Sequence, residues 1–163
     1  MTNEKVKAVI NGMEAYLTGS GDPCKVILAN QTAPIPKYPY VSYTVTQPRM
    51  EKGGTYGVES NGNRSKQFDM SMSFTVQSDE EDESVFIAMK AARWIEEIGV
   101  VYLDDNGIAV KRVGSITNRD NLLSTMYEYR NGFDATFTLL ERISEDEFLD
   151  RGTIEEFEIN KEV

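Results

Sequence analysis

The stretch KQFDMSMSFTVQ, residues 66–77, alternates polar and apolar side chains without a break, and this pattern decides the fold class. A period of two is typical of a β-strand with one face on a hydrophobic core and one polar face. It favours an antiparallel sheet covered on a single side, because strands of parallel sheets are buried on both faces. The predicted core face holds Phe68, Met70, Met72, Phe74 and Val76.

Two segments with the 3–4 spacing of amphipathic helices can cover that face. The first begins near Asn3 and ends near Gly19. The second opens with the capping box Ser78–Glu81 and runs to about Ile98. The predicted buried stripes are Val6, Val9, Ile10, Met13 and Leu17 in the first helix, and Val85, Ala88, Met89, Ala92, Ile95 and Ile98 in the second.

The remaining strands are predicted from short apolar or alternating segments: residues 25–29, 40–46, 100–104, 108–113 and 125–140. Asn106-Gly107 between two of these segments indicates a tight hairpin. The predicted fold is therefore α+β, an antiparallel sheet of mixed strand lengths packed by two α-helices. The predicted element order is α-β-β-β-α-β-β-β.

One domain is expected over residues 1–143, with two segments of different character. Residues 47–64 are rich in glycine and lack periodicity, which predicts a long flexible loop that orders against a partner. Residues 144–163 carry a net charge of −6 out of −10 and form a predicted extended acidic C-terminal arm. Because a solvating tail has no need of apolar side chains, we expect this arm to dock on its own body or on a neighbour.

The composition argues against an enzyme, and no catalytic residue, metal site or cofactor is predicted. The chain contains no histidine, the residue most used for proton transfer near neutral pH, and a single cysteine, Cys24. Its strongly acidic balance disfavours general nucleic-acid binding. No apolar window is long enough for a membrane span, and the N-terminus lacks the pattern of a secretory signal.

The order and content of several segments resemble the phage neck terminator family of tailed bacteriophages. The resemblance covers roughly residues 38–143 and rests on YPYVSYTVT (38–46), the glycine-rich loop, KQFDMSMSFTVQS (66–78), WIEEIG (94–99) and YEYRNGFDATFTL (127–139). The element order is also similar to that of tail terminators of long-tailed phages, which share an α/β fold and form rings.

The resemblance implies a structural virion protein, made in the host bacterial cytoplasm, that forms a homo-oligomeric ring, a hexamer, on the last ring of the tail tube. Its implied partners are the tail tube protein, the neck or head-completion connector and, in a contractile tail, the sheath. DNA passes through the lumen during ejection, and an acidic lumen would keep phosphate from adhering.

Three groups of residues are expected at partner interfaces. The loop contributes Arg49, Lys52, Tyr56 and Arg64, and a strand edge contributes Arg130. The C-terminal arm contributes its apolar residues Phe148, Leu149, Ile154, Phe157 and Ile159. Two other hypotheses remain open. The chain could be another head–tail connector, tail-tube or completion protein, or a monomeric binding module unrelated to phages.

Overall fold

The computed structural model describes residues 2–19, 21, 23–123 and 126–152, and these form an α+β fold with an eight-stranded mixed sheet and four α-helices. The helices are α1 (Thr2–Gly19), α2 (Glu81–Arg93), α3 (Val100–Asp105) and α4 (Glu145–Gly152), with a π-turn at Trp94–Ile98. The strands are β1 (Lys25–Leu28), β2 (Tyr40–Glu51), β3 (Gly57–Val58), β4 (Arg64–Ser78), β5 (Ile108–Val113), β6 (Thr117–Asn118), β7 (Asn121–Leu123) and β8 (Met126–Ile143).

Two long antiparallel strands, β4 and β8, form the centre of the sheet. They stay in register from the pair Arg64–Ile143 to the pair Ser78–Tyr129. The main path through the sheet is β1-β2-β4-β8-β5, while β3 pairs with β4, and β6 and β7 pair with β8. The prediction of an antiparallel sheet is wrong at one edge, because β1 runs parallel to β2.

The core lies between one face of the sheet and the helices, as the alternation in residues 66–77 predicts. All five predicted core residues of β4 are buried, and so are Val6, Val9, Met13 and Leu17 of α1. The rings of Phe74 and Phe133 stack at a centroid distance of 5.4 Å in the middle of this core. Gly12 of α1 faces two aromatic rings, those of Trp94 and Tyr102, and leaves no room for a β-carbon.

The buried face of α2 differs from the predicted stripe. Ala88, Ala92 and Ile95 are buried as expected, but Val85 and Met89 are exposed, together with Ile98 beyond the helix. Ser84 takes the buried position, where its hydroxyl donates to the carbonyl of Val76 at 3.2 Å. Small side chains let the helix lie close to the sheet, so the contact face is rotated towards serine and alanine.

The start of α2 also departs from the predicted capping box. The helix begins at Glu81 with Glu80 as its N-cap residue, two positions after Ser78. The Ser78 hydroxyl instead accepts a hydrogen bond from the backbone N–H of Glu80 at 3.1 Å and donates one to Glu83. Ser78 therefore fixes the turn that leads into the helix, and it ends β4.

The predicted hairpin around Asn106-Gly107 is wrong. Residues 100–105 form the helix α3, with Leu103 buried, and β5 follows without a preceding partner strand. Gly107 has a φ of +70°, and its N–H donates to the carbonyl of Asp104 at 2.8 Å. A glycine with positive φ serves equally well after a helix and inside a hairpin, so the dipeptide alone does not separate the two structures.

The glycine-rich loop is shorter than predicted. Residues 47–51 continue β2, residues 57–58 form β3, and β4 begins at Arg64. Irregular backbone remains only at residues 52–56 and 59–63, because the long β2–β4 pairing extends past the predicted strand ends. At the other end of the chain, residues 145–152 of the predicted extended arm form α4, and residues 153–163 lie outside the described part.

Candidate assembly surfaces

Two of the segments that carry the family resemblance, residues 38–46 and 127–139, meet at one end of the sheet. The Tyr38 hydroxyl, from the connector before β2, donates a hydrogen bond to the carboxylate of Glu128 on β8. Glu128 is buried, and the guanidinium of Arg130 binds its other oxygen. The ring of Tyr38 also stacks on that of Tyr40, with centroids 5.8 Å apart. These contacts hold Tyr38, near the end of the connector between β1 and β2, against the central strands.

Burial and the neighbouring carboxylate perturb both tyrosines of this cluster. Burial, followed by the hydrogen bond to Glu128, raises the pKa of Tyr38 to about 12. Burial, followed by the charge of Glu128, raises the pKa of Tyr40 as well. Both hydroxyls are therefore neutral at physiological pH, and that of Tyr38 donates to Glu128.

A cleft of about 350 Å³ lies beside this cluster, between the 27–35 segment and the sheet. Arg130 lines its wall, as do Ser42 and Gln77. The predicted placement of Arg130 on a strand edge is wrong, because β8 has partners on both sides at this point. Gln77 of β4 lies opposite Arg130, and the Arg130 carbonyl accepts the N–H of Arg119 at 2.7 Å. A partner contact by Arg130 stays a prediction.

The four loop residues predicted at an interface lie together at the far end of the sheet. Side-chain bonds or strand pairing within the chain hold each of them. Arg49 binds Glu51 and, at 3.0 Å, Glu141, and its guanidinium lies 4.4 Å from the centre of the Phe68 ring. The Tyr56 hydroxyl donates to Glu141 at 2.9 Å. Arg64 opens β4, opposite Val58 and Ile143.

Lys52 belongs to a charged cluster on the open face of the sheet, centred on the buried carboxylate of Asp69. Its ammonium lies 3.3 Å from Asp69, and Lys111 binds the other oxygen of the same carboxylate. The Thr138 hydroxyl donates to Asp69 at 2.8 Å. Burial acts to raise the pKa of Asp69, but the bonds from Lys111, Thr138 and Lys52 outweigh it and lower that pKa.

Apolar side chains remain exposed on the outer side of the helices. On α2 they are Val85, Phe86 and Met89, and around α3 they are Ile98, Val100, Val101 and Tyr102. Exposed apolar side chains mark an interaction site where they form a contiguous patch, which makes these two helices candidate surfaces. The sequence analysis assigned part of this set to the core and missed the rest.

The C-terminal residues predicted at an interface fall partly outside the described chain. Phe148 and Leu149 lie in α4, where Leu149 is exposed. Ile154, Phe157 and Ile159 lie beyond residue 152, outside the described residues. Glu145, the first residue of α4, packs against Gly62 in the turn between β3 and β4. The start of α4 therefore lies on the β4 side of β8.

Among the described residues, no cluster of three or more acidic or cysteine side chains is placed to hold a metal ion. Cys24 is buried, and that burial raises the pKa of its thiol to about 11, so the thiol is unreactive at neutral pH. None of the described helices has the length and apolar character needed to cross a bilayer.

Sequence reasoning missed Glu128, Tyr38 and Asp69, which organise the two ends of the sheet. Glu128 and Asp69 sit on strand positions that the alternation assigns to the polar face, where a charged side chain carries no signal of burial. Tyr38 and Glu128 are 90 positions apart in the sequence, and Asp69 and Thr138 are 69 positions apart. Only the assembled sheet brings them together.

Comparison with known proteins gives one family. A family model described as phage neck terminator protein matches residues 6–163 of the chain. No curated protein matches the sequence at a significant level.

Proposed function

The chain belongs to the phage neck terminator protein family, and we propose that it forms a ring that ends the tail at its head-proximal end. The family is one of structural phage proteins, which places the chain in the neck or tail of the virion. In the proposed role the ring stops growth of the tail tube and joins the tail to the head–neck connector. The match spans nearly the whole chain and is the observation that carries the proposal.

The two edge strands of the sheet, β1 and β5, support assembly by repetition of one contact. The path from β1 to β5 leaves one strand at each edge, and these two edges differ in sequence and direction. A head-to-tail contact between two different surfaces closes into a ring when the rotation per subunit is right. Edge strands and exposed apolar helices are natural surfaces for such a contact.

The proposed partners follow from this position. One face of the hexameric ring binds the last ring of the tail tube protein, and the other binds the neck or head-completion connector. In a contractile tail, the same ring holds the top of the sheath. DNA passes through the lumen without binding, in keeping with a net charge of −10.

Residues 1–143 act in this proposal as the ring body, and residues 144–163 act as an arm that contacts a neighbour. The far end of the sheet, with Arg49, Lys52, Tyr56 and Arg64, contacts the adjacent ring or subunit. The internal bonds of Arg49, Lys52 and Tyr56 support this assignment, because a surface with fixed side chains loses less conformational entropy on binding.

Light scattering and negative-stain imaging, with and without purified tail tubes, test the proposed role. Closed rings near six subunits, or a monomer that caps tube ends, are the expected results. Open-ended tubes formed by this chain alone would identify a tail-tube protein instead. A monomer that leaves tubes uncapped would refute the terminator role and favour a binding module.

A further inference from the structure

The edge of the sheet opposite β1 carries a groove between the edge strand β5 and the helix α3. Its volume is about 570 Å³. Four valines, Val100, Val101, Val110 and Val113, line it together with Ile108. β5 ends the path of the sheet, so no described strand covers its outer side. Val101 is 72% exposed, an unusual state for a valine beside a sheet edge.

The charges around the groove are divided between its two walls. Arg112 lies on the strand wall beside Lys111, whose ammonium binds Asp69, whereas Glu96 and Asp104 lie on the helix wall. Within the described residues Arg112 is exposed and has no acidic partner. An occupant with apolar side chains and an adjacent acidic side chain would match the valines and Arg112 together.

The chain itself contains such a segment in residues 153–163, TIEEFEINKEV. Its apolar residues are Ile154, Phe157 and Ile159, and its acids include Glu156 and Glu158. We propose that this segment of one copy docks in the β5–α3 groove of a neighbouring copy, which deepens the proposed ring function and rests on it. The apolar side chains pack on the valines, and the acids face Arg112.

Geometry favours a neighbouring copy over the same copy. Glu145 packs against Gly62 on the β4 side of β8, whereas β5 pairs with the opposite side of β8. The arm thus begins on the side of β8 away from its own groove. Eleven residues span up to about 36 Å when extended, a length that allows contact with another copy. In a head-to-tail ring every copy donates one arm and offers one groove.

Cysteine cross-linking of the full chain tests this contact. The pair Val101→Cys and Phe157→Cys should give disulfide-linked dimers and higher ladders on non-reducing gels. Mixing the two single variants should give dimers that contain one chain of each kind. Cys24 can stay in place, because it is buried and its thiol pKa is about 11. The matched control pairs Phe157→Cys with Ile35→Cys, since Ile35 is 74% exposed at a distant site.

A bridge within single chains would overturn the assignment to a neighbour. Equal reaction of the Ile35 control, or no disulfide in a sample that forms rings, would overturn the groove as the acceptor. Tube capping is scored separately by imaging. Failure to cross-link in a protein that still caps tubes refutes only this inference, whereas cross-linked chains that ignore tubes refute only the terminator role.

A second variant tests the same groove without new thiols. Val101→Glu places a charge among the valines that line the groove. It should weaken association of the copies about tenfold, the ratio that corresponds to ~1.4 kcal/mol. Ile35→Glu, at matched exposure, should leave association unchanged. Equal effects of the two substitutions would overturn the proposal. Because both side chains are exposed, neither change should unfold the protein.

Discussion

The hydrogen bond from Tyr38 to Glu128 is expected to be a main anchor of the 29–39 segment, and Tyr38→Phe removes it alone. Phenylalanine keeps the ring and its stacking on Tyr40. The substitution removes only the Tyr38 hydroxyl, which donates to the carboxylate of Glu128, a side chain that is only 5% exposed. Arg130 stays bound to that carboxylate, so the charge is not left isolated.

The size of the effect follows from this environment. A hydrogen bond to a charged group contributes about 1.5–3 kcal/mol to the free energy of unfolding. Since Arg130 remains, we expect a loss of about 2 kcal/mol, near the middle of that range. For a domain of this length, the loss corresponds to a decrease in Tm of about 4–8 °C.

Urea unfolding followed by circular dichroism measures the loss, with Tyr43→Phe as the matched control. Tyr43 is also partly buried, but within the described residues its hydroxyl has no hydrogen-bond partner. A double-mutant cycle with Glu128→Ala, which removes the acceptor, then isolates the pair, and we expect a coupling of at least ~1 kcal/mol. Equal effects of Tyr38→Phe and Tyr43→Phe, or a coupling near zero, would refute the anchoring role.

Three further predictions concern the core and the charged cluster. Gly12→Ala should lower the free energy of unfolding by about 1–3 kcal/mol, because the two facing aromatic rings must move. Gly19→Ala is the control in thermal unfolding and should cause no such loss, since nothing lies within 4 Å of its added β-carbon. Phe133→Ala should cost about 3–5 kcal/mol in urea unfolding, since the fully buried ring stacks on its partner in β4; a cost under 1 kcal/mol would contradict this packing. Because the pKa of Asp69 is lowered in the folded protein, its contribution to the free energy of unfolding is present above the unfolded pKa of about 3.9 and is lost as pH falls through the folded pKa. Asp69→Asn should therefore reduce the loss of stability below about pH 4 in acid titrations, and an unchanged acid titration would contradict the role of the cluster.

The sequence by itself determined the elements whose pattern reflects burial on one side. The alternation in residues 66–77 predicts β4, and the similar pattern that ends at Leu139 predicts most of β8. The 3–4 spacing after Asn3 predicts α1 to within a residue or two at each end. These predictions hold because a one-sided core imposes a local period on each element that packs against it. The family could also be recognised from the order of these segments.

Only the tertiary structure decided which of several equally apolar faces is buried and which distant residues meet. The α2 helix offers two plausible stripes, and the hydrogen bond from Ser84 to β4 accompanies burial of the one with the smaller side chains. Gly107 ends a helix although the same dipeptide fits a hairpin, because both structures need a positive φ. Tyr38 and Glu128 are joined across 90 positions by strand pairing, a contact that no local pattern encodes.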